Sequence, residues 1–422
     1  MHIRKIDKFE GLNVKIKKIS FKDSDGYFYL AWVLYELLNL FKLSFVYSYY
    51  MSVYKYLSAL VLVPVMLSEL SYIKRVSIRE FIGLIICIFG IISVLITNNS
   101  SNITIISMLI FIYCGRNRRL AQINRYSLYC GSFVLLLVIL CAKFGLIINH
   151  VSTIGNRTRE YLGFRYALYP SVISMMITCM YVYDRGKEIR TINGILLMIL
   201  NYYIYNRTGS RLSFVISAVV IIFGLILKYA EIKQKRWGIR GTLLRILNCS
   251  YLIACIMSFI FVYLYAKGNS FAVTLNSILG RRLFYSLRSL EEYGFGMLGK
   301  NIKWVGFGLN ALGERGVGTY LYVDNIYIHM LQENGLIMLV VYLLLNTMLL
   351  FHISKRNNRY LYLIVIVLAY YGMIDNLTRF IHINIFLFAI SCELIKKHSE
   401  NVSRRITNRS IFSLSKSPYI NN

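Results

Sequence analysis

Arg207 and Arg211 stand four residues apart in IYNRTGSRLSF, Ile204 to Phe214, with Gly209 between them and an apolar run on either side. A planar guanidinium grips a phosphate or carboxylate through two parallel hydrogen bonds, whereas a lysine offers a point charge. A cation at the bilayer centre costs about 2.5–3.5 kcal/mol. The pair therefore sits at depth only where an anion or a cavity accommodates it, the plainer alternative being two arginines snorkelling beside a tight turn at Gly209. HVSTIGNRTREYLGFRYALYP, His150 to Pro170, repeats the chemistry with Arg157, Arg159 and Arg165 beside Glu160 and His150. Pro170 is expected to end or kink the following helix. LGRRLFYSLRSLEEYGFG, Leu279 to Gly296, puts Arg281, Arg282, Arg288 and Tyr285 on an amphipathic helix suited to a membrane surface. VDNIYIHMLQENG, Val323 to Gly335, supplies Asp324, Asn325, Tyr327 and His329 at the mouth of an apolar helix. Asp324 is the carboxylate best placed to orient or deprotonate a hydroxyl, or else an ordinary helix N-cap. Glu160 and Glu291 stand behind it. In the Gly-rich stretch from Gly299 to Gly318, Trp304 and Phe307 are expected to be exposed for stacking on a sugar ring, interfacial anchoring being the alternative.

The elements that must hold these groups are membrane helices. The chain is 57% hydrophobic with a mean hydropathy of +0.55, and its apolar residues come in runs rather than at the alternating spacing of a barrel. The fold class is thus an all-α polytopic membrane protein. Runs beginning near Tyr27, Val53, Phe81, Ile103, Ser127, Tyr166, Thr191, Leu212, Ile246, Ile326, Leu361 and Ile381 make about twelve transmembrane helices. The division runs as a basic tail over residues 1–26, nine helices over 27–266, a large extracytoplasmic loop domain over 267–325, three helices over 326–395 and a second tail over 396–422. Basic segments at Lys74, Gly115, Asp184, Lys228 and Ser354 are separated by even numbers of spans. Short basic loops stay in the cytoplasm, so both termini lie there and the opposite loops face outward.

The net charge of +29 follows from 48 basic against 19 acidic residues. Most of the excess falls in the cytoplasmic segments, where topology and anionic lipid account for it, so it carries no nucleic-acid signal. The outward cations are more informative. From His150 onward they are mostly arginines, including Arg315 and Arg379, against Lys267, Lys300 and Lys303. The outer face is therefore read as built for an anion. The eight cysteines fall in or beside spans and the six histidines lack ligand spacing, so neither a disulfide framework nor a metal site is expected. DSD at Asp23 to Asp25 has no strand to carry a metal-binding pair. Glu36 and Lys143 lie within spans, where Glu36 pairs inside the bundle or lines a pathway and Lys143 snorkels.

TGSR at Thr208 to Arg211, the RTREYLGFRYALYP loop, GFG at Gly306 to Gly308 and DNIY at Asp324 to Tyr327 before an apolar helix together resemble Wzy-type polysaccharide polymerases of the O-antigen polymerase and ligase group. The resemblance covers roughly Asn149 to Phe351. It implies a cofactor-independent membrane glycosyltransferase at the outer leaflet of the bacterial cytoplasmic membrane, moving a growing glycan from undecaprenyl diphosphate onto a lipid-linked repeat unit. Related ligases typically carry His where Asp324 stands, which favours polymerase over ligase and leaves His329 as a substitute. On this reading Arg165, Arg207 and Arg211 clamp the diphosphate. Arg157, Arg159, Arg281 and Arg282 guide the anionic lipid or glycan, with Arg288, Tyr327 and His329 also at the substrate, and Asp324 serves the acceptor. Flippase and chain-length partners follow only from the likeness. The rival from another class is a lipid-linked oligosaccharide flippase, which needs charge inside the bundle and a cytoplasmic entrance as well.

Overall fold

The computed structural model describes residues 21–70, 77–97, 102–154, 157–232, 241–356 and 358–395. Nearly all of the first tail and all of the second lie outside them, as do the basic runs at Lys74 and at 233–240. The architecture is predominantly helical with a single two-stranded hairpin among the described residues. In order, the first half holds α1 (Phe21–Lys42), α2 (Tyr54–Leu60), α3 (Leu62–Leu70), α4 (Ile78–Thr97), α5 (Asn102–Cys114) and α6 (Leu120–Lys143). The hairpin of β1 (Val151–Ile154) and β2 (Arg157–Glu160) follows, then α7 (Leu168–Arg185), α8 (Thr191–Thr208) and α9 (Arg211–Ile232). Next come α10 (Thr242–Asn248), α11 (Ser250–Ala266), α12 (Ser270–Ile278) and α13 (Arg282–Tyr293). After an irregular loop the chain ends in α14 (Ile326–Glu333), α15 (Gly335–Arg356), α16 (Arg359–Tyr371) and short turns to Ile395.

Among the described residues, α4, α6, α9 and α15 are long and apolar enough to cross a bilayer, and the bent pair of α10 and α11 makes a fifth if counted as one span. At about 1.5 Å per residue their 20–24 residues reach the roughly 30 Å of a hydrocarbon core. The other apolar runs take different forms. The run from Leu361 is the 13-residue α16, in which ten residues are buried on all sides. Its hydrophobicity is that of a bundle core. The run from Ile381 is not a continuous α-helix: Asn384 accepts from Phe386 N and the chain coils in short 3-10 and π turns. The run from Ile326 breaks at Asn334 into α14 and the bilayer-length α15.

Two backbone devices set the functional geometry. At the α14–α15 junction Gly335 has φ +89° and packs against Gly299 at φ +94°. A Cβ on Gly335 would lie 2.3 Å from Gly299 N, so the loop after α13 lies backbone to backbone on the break. Lys300 N donates to Gln332 O at 2.9 Å and Leu336 N to Gly296 O at 3.0 Å, which pins the end of α14. Gln332 completes the junction by donating to Ser289 O and Gly294 O at 2.9 and 3.1 Å. At the other device, Gly209 caps α8 in the left-handed region, φ +67°, giving the tight turn expected there. Hydroxyl and amide groups tie α7, α8 and α9 together: Ser174 and Ser217 donate to Asn201 Oδ1, and beside the turn Ser171 meets Thr208 at 2.8 Å. Between helices in an apolar setting such bonds are the available glue.

Pro170 sits in the first turn of α7, where its missing N–H is unneeded, so it starts that helix rather than kinking it. The loop before it forms a hairpin that sequence reading did not foresee, with Ser152 opposite Arg159 and Val151 opposite Glu160.

Candidate functional site

His329 and Glu333 are one turn apart on α14, so their side chains share a face. Glu333 accepts from His329 Nε2 at 2.7 Å and from the Arg379 guanidinium, all three being buried. His329 Nδ1 lies 3.0 Å from the Val323 carbonyl oxygen and 3.1 Å from Asn376 Nδ2. Both ring nitrogens are thereby engaged by the protein, and the ring is sandwiched by Trp304, stacked at 4.7 Å between centroids. His329 therefore positions Glu333, and Glu333 positions Arg379.

This triad forms one wall of a cavity of about 710 Å³ whose other charged lining residues are Lys42, Arg165 and Lys303. Four cations thus face one carboxylate. Among the described residues Arg379 Nε, Arg165 Nε and Trp304 Nε1 are buried without a hydrogen-bond acceptor. Each orphaned donor costs about 1–3 kcal/mol, more where charged, unless something accepts its proton. The cavity has the charge of an anion site. Arg165 reaches it from the loop before α7, held by its backbone N–H to Leu43 O at 2.9 Å and stacked over Tyr47. Lys42 comes from the end of α1 and Arg379 from the turn after α16.

A second cluster adjoins it across the strand of loop that runs through Tyr322. Tyr322 lines the cavity and is bonded to Asn376, and two residues on, Asp324 pairs with Arg282 at 3.2 Å. Asp324 does not cap α14. Asn325 does, accepting from Tyr327 N and Ile328 N at 3.0 and 3.2 Å. Burial raises the Asp324 carboxyl above its ordinary value, opposed by Arg282. Asp375 is raised further, to about 7, by burial and then by the charge of Asp324, against the hydrogen bond from Leu377 N and the field of Arg282. Arg282 is held firmly charged by these two carboxylates despite its burial.

The expected arginines divide into separate groups. Arg207 is exposed and paired with Glu160 at 3.0 Å, and Arg159 lies against the Gly209 turn, so the hairpin and the α8–α9 turn do meet. Arg211 is exposed at the first residue of α9, and Arg157 contributes its backbone to β2. Arg165 belongs to the cavity. Of the expected clamp of Arg165, Arg207 and Arg211, only Arg165 lines the cavity, held at the α1 end, while Arg207 is paired with Glu160.

Other assignments are corrected by packing. Tyr327 is fully buried with its hydroxyl donating to Ala369 O at 2.6 Å, a core role that removes it from any substrate surface. Arg281 stands before α13 at φ +67° rather than on it, and Arg288 is half exposed with Glu292 at 3.9 Å. Trp304 and Phe307 stack inward, on His329 and on Tyr320 at 4.2 Å. Asp25 of the DSD run pairs with Arg118, and Glu291 is exposed on α13.

Glu333, Asp375, Asn376 and Lys42 were not foreseen as site residues. One signal was present: VDNIYIH at Val323 and IDNLTRFIH at Ile374 carry the same Asp-Asn pair before a basic or imidazole residue. Among the described residues no group of three or more His, Cys, Asp or Glu converges in a way that could hold a metal ion. Fold and site together define a helical protein with bilayer-length apolar helices and a cation-rich polar cavity at the ends of its helices. No protein-family model matches the chain, and no curated protein matches it in sequence.

Proposed function

We propose that the protein is a membrane glycosyltransferase of the polysaccharide-polymerase kind, seating a polyprenyl-diphosphate-linked glycan in the cavity beside Arg379. In this reading about twelve segments cross the bacterial cytoplasmic membrane, shorter helices included, both termini are cytoplasmic and the cavity opens outward. The observation that carries the proposal is the cavity itself, with Lys42, Arg165, Lys303 and Arg379 around it.

Diphosphate is already a competent leaving group, so the protein's work is to stabilise its developing charge and align the acceptor. The acceptor hydroxyl oxygen forms a bond to the anomeric carbon of the donor glycan as the bond from that carbon to the diphosphate oxygen breaks. The electron pair leaves on the diphosphate, facing Arg379 and its cationic neighbours. The hydroxyl proton passes to Asp324, whose raised carboxyl is a better base than an ordinary aspartate and is oriented by Arg282. Arg207, Arg211 and Arg159, at a separate patch, attract the anionic lipid or glycan rather than clamp it.

Lipid-linked repeat units supplied to purified protein test the reading. Chains several repeats long support it. Lipid movement between leaflets without new glycosidic bonds would make the protein a flippase, and transfer only to a foreign acceptor would make it a ligase.

A further inference from the structure

Arg379 lines two cavities. Besides the polar one, it closes an apolar groove of about 670 Å³ between α4, α5, α15 and the turns at 385–395. The groove wall on α15 runs from Met338 to Lys355, some 25 Å at about 1.5 Å per residue, most of a hydrocarbon core. Its floor is Ile82, Gly83 and Ile86 of α4 with Leu109 and Ile112 of α5. Gly83 lets α4 approach the terminal turns closely, since a Cβ there would meet Ile395 Cδ1 at 2.8 Å. At one end lie Arg79, His352 and Lys355, and at the other Met330 and Arg379.

The slot is apolar along its length and meets the polar cavity at a buried arginine whose Nε has no acceptor. We infer that this groove holds the hydrocarbon chain of the polyprenyl carrier, its diphosphate seated on Arg379 and its tail running toward the Arg79 and Lys355 end. The inference rests on the proposed function and adds the tail's path. A chain lying in the groove is withdrawn from contact with bulk lipid, and its position fixes the diphosphate relative to Glu333 and His329. Arg379 is then the joint between tail and head: an incoming diphosphate competes with Glu333 for one guanidinium.

The test uses the full-length protein in phosphatidylcholine nanodiscs with a polyprenyl diphosphate bearing a diazirine near the end of its tail. Photocrosslinks are expected on groove residues such as Ile82, Ile86, Val341 and Leu345. Val341→Trp and, separately, Leu345→Trp are expected to cut that crosslinking at least tenfold. Crosslinks spread over other lipid-facing helices in the wild type would overturn the inference, and so would equal groove labelling by a diazirine phosphatidylglycerol, which would make bulk phospholipid the occupant. Crosslinks outside the groove alongside intact chain extension remove the tail path and leave the enzyme reading standing. Groove crosslinks without extension do the reverse.

Discussion

The Arg379 guanidinium donates to the Glu333 carboxylate and also lines the cation-rich cavity, so one arginine is both anchored by the protein and set in the wall of the candidate ligand space. A residue held only by substrate would wander, and one fully satisfied by protein would have nothing to offer. Arg379 is in neither position, and its neighbours extend the positive field across the cavity.

Arg379→Lys is expected to lower chain extension by about 10²-fold or more, the scale seen when a donor to a developing anion is removed, because lysine keeps the charge and loses the fork. Extension of lipid-linked repeats by membranes carrying matched amounts of variant gives the readout. Full activity would remove Arg379 from the mechanism.

Arg207→Ala and Arg211→Ala are expected to act differently. Exposed cations steer a charged ligand and are screened by salt. Each variant should raise KM by no more than about tenfold with kcat retained, an effect that shrinks as salt rises. A collapse of kcat in either would return these residues to the reacting centre.

The Asp375 carboxyl, raised to about 7, makes a prediction about pH. A carboxyl raised in the folded state adds stability that is complete below its unfolded value near 3.8 and lost as pH climbs through about 7. Asp375→Asn keeps an acceptor for Leu377 N and cannot ionise. Wild type should therefore lose thermal stability between pH 5 and 8 more steeply than Asp375→Asn, the Tm of the variant being higher relative to wild type at pH 8. Parallel pH profiles would contradict the buried pair of carboxylates.

Gly335→Ala places a Cβ 2.3 Å from Gly299 N and 2.4 Å from Met297 O at φ +89°. Strain of this kind costs about 1–3 kcal/mol before the clash is counted. The variant should melt lower and lose activity, since the junction carries Glu333. Wild-type Tm in that variant would show the junction to be pliable.

Much of the architecture could be read from hydropathy. The runs at Phe81, Ser127 and Leu212 became α4, α6 and α9, and the amphipathic spacing after Leu279 became α13. Hydropathy cannot distinguish a helix facing lipid from one buried by other helices, so the burial of α16 on all sides could not be read from its apolar run. The paired strands at Val151–Ile154 and Arg157–Glu160 were hidden because they are only four residues each. At the site, residue type announced the arginines and His329, but partner choice decided their roles. Glu160 captured Arg207, Asn325 took the cap expected of Asp324, and Glu333 became central through a one-turn spacing to His329.

The central claim concerns where a diphosphate binds, and its affinity is the direct measure. Titrating undecaprenyl diphosphate into nanodisc-embedded protein, the account predicts that Arg379→Gln weakens binding at least tenfold while Asp324→Asn binds as wild type does. Equal affinity of Arg379→Gln and wild type would contradict it.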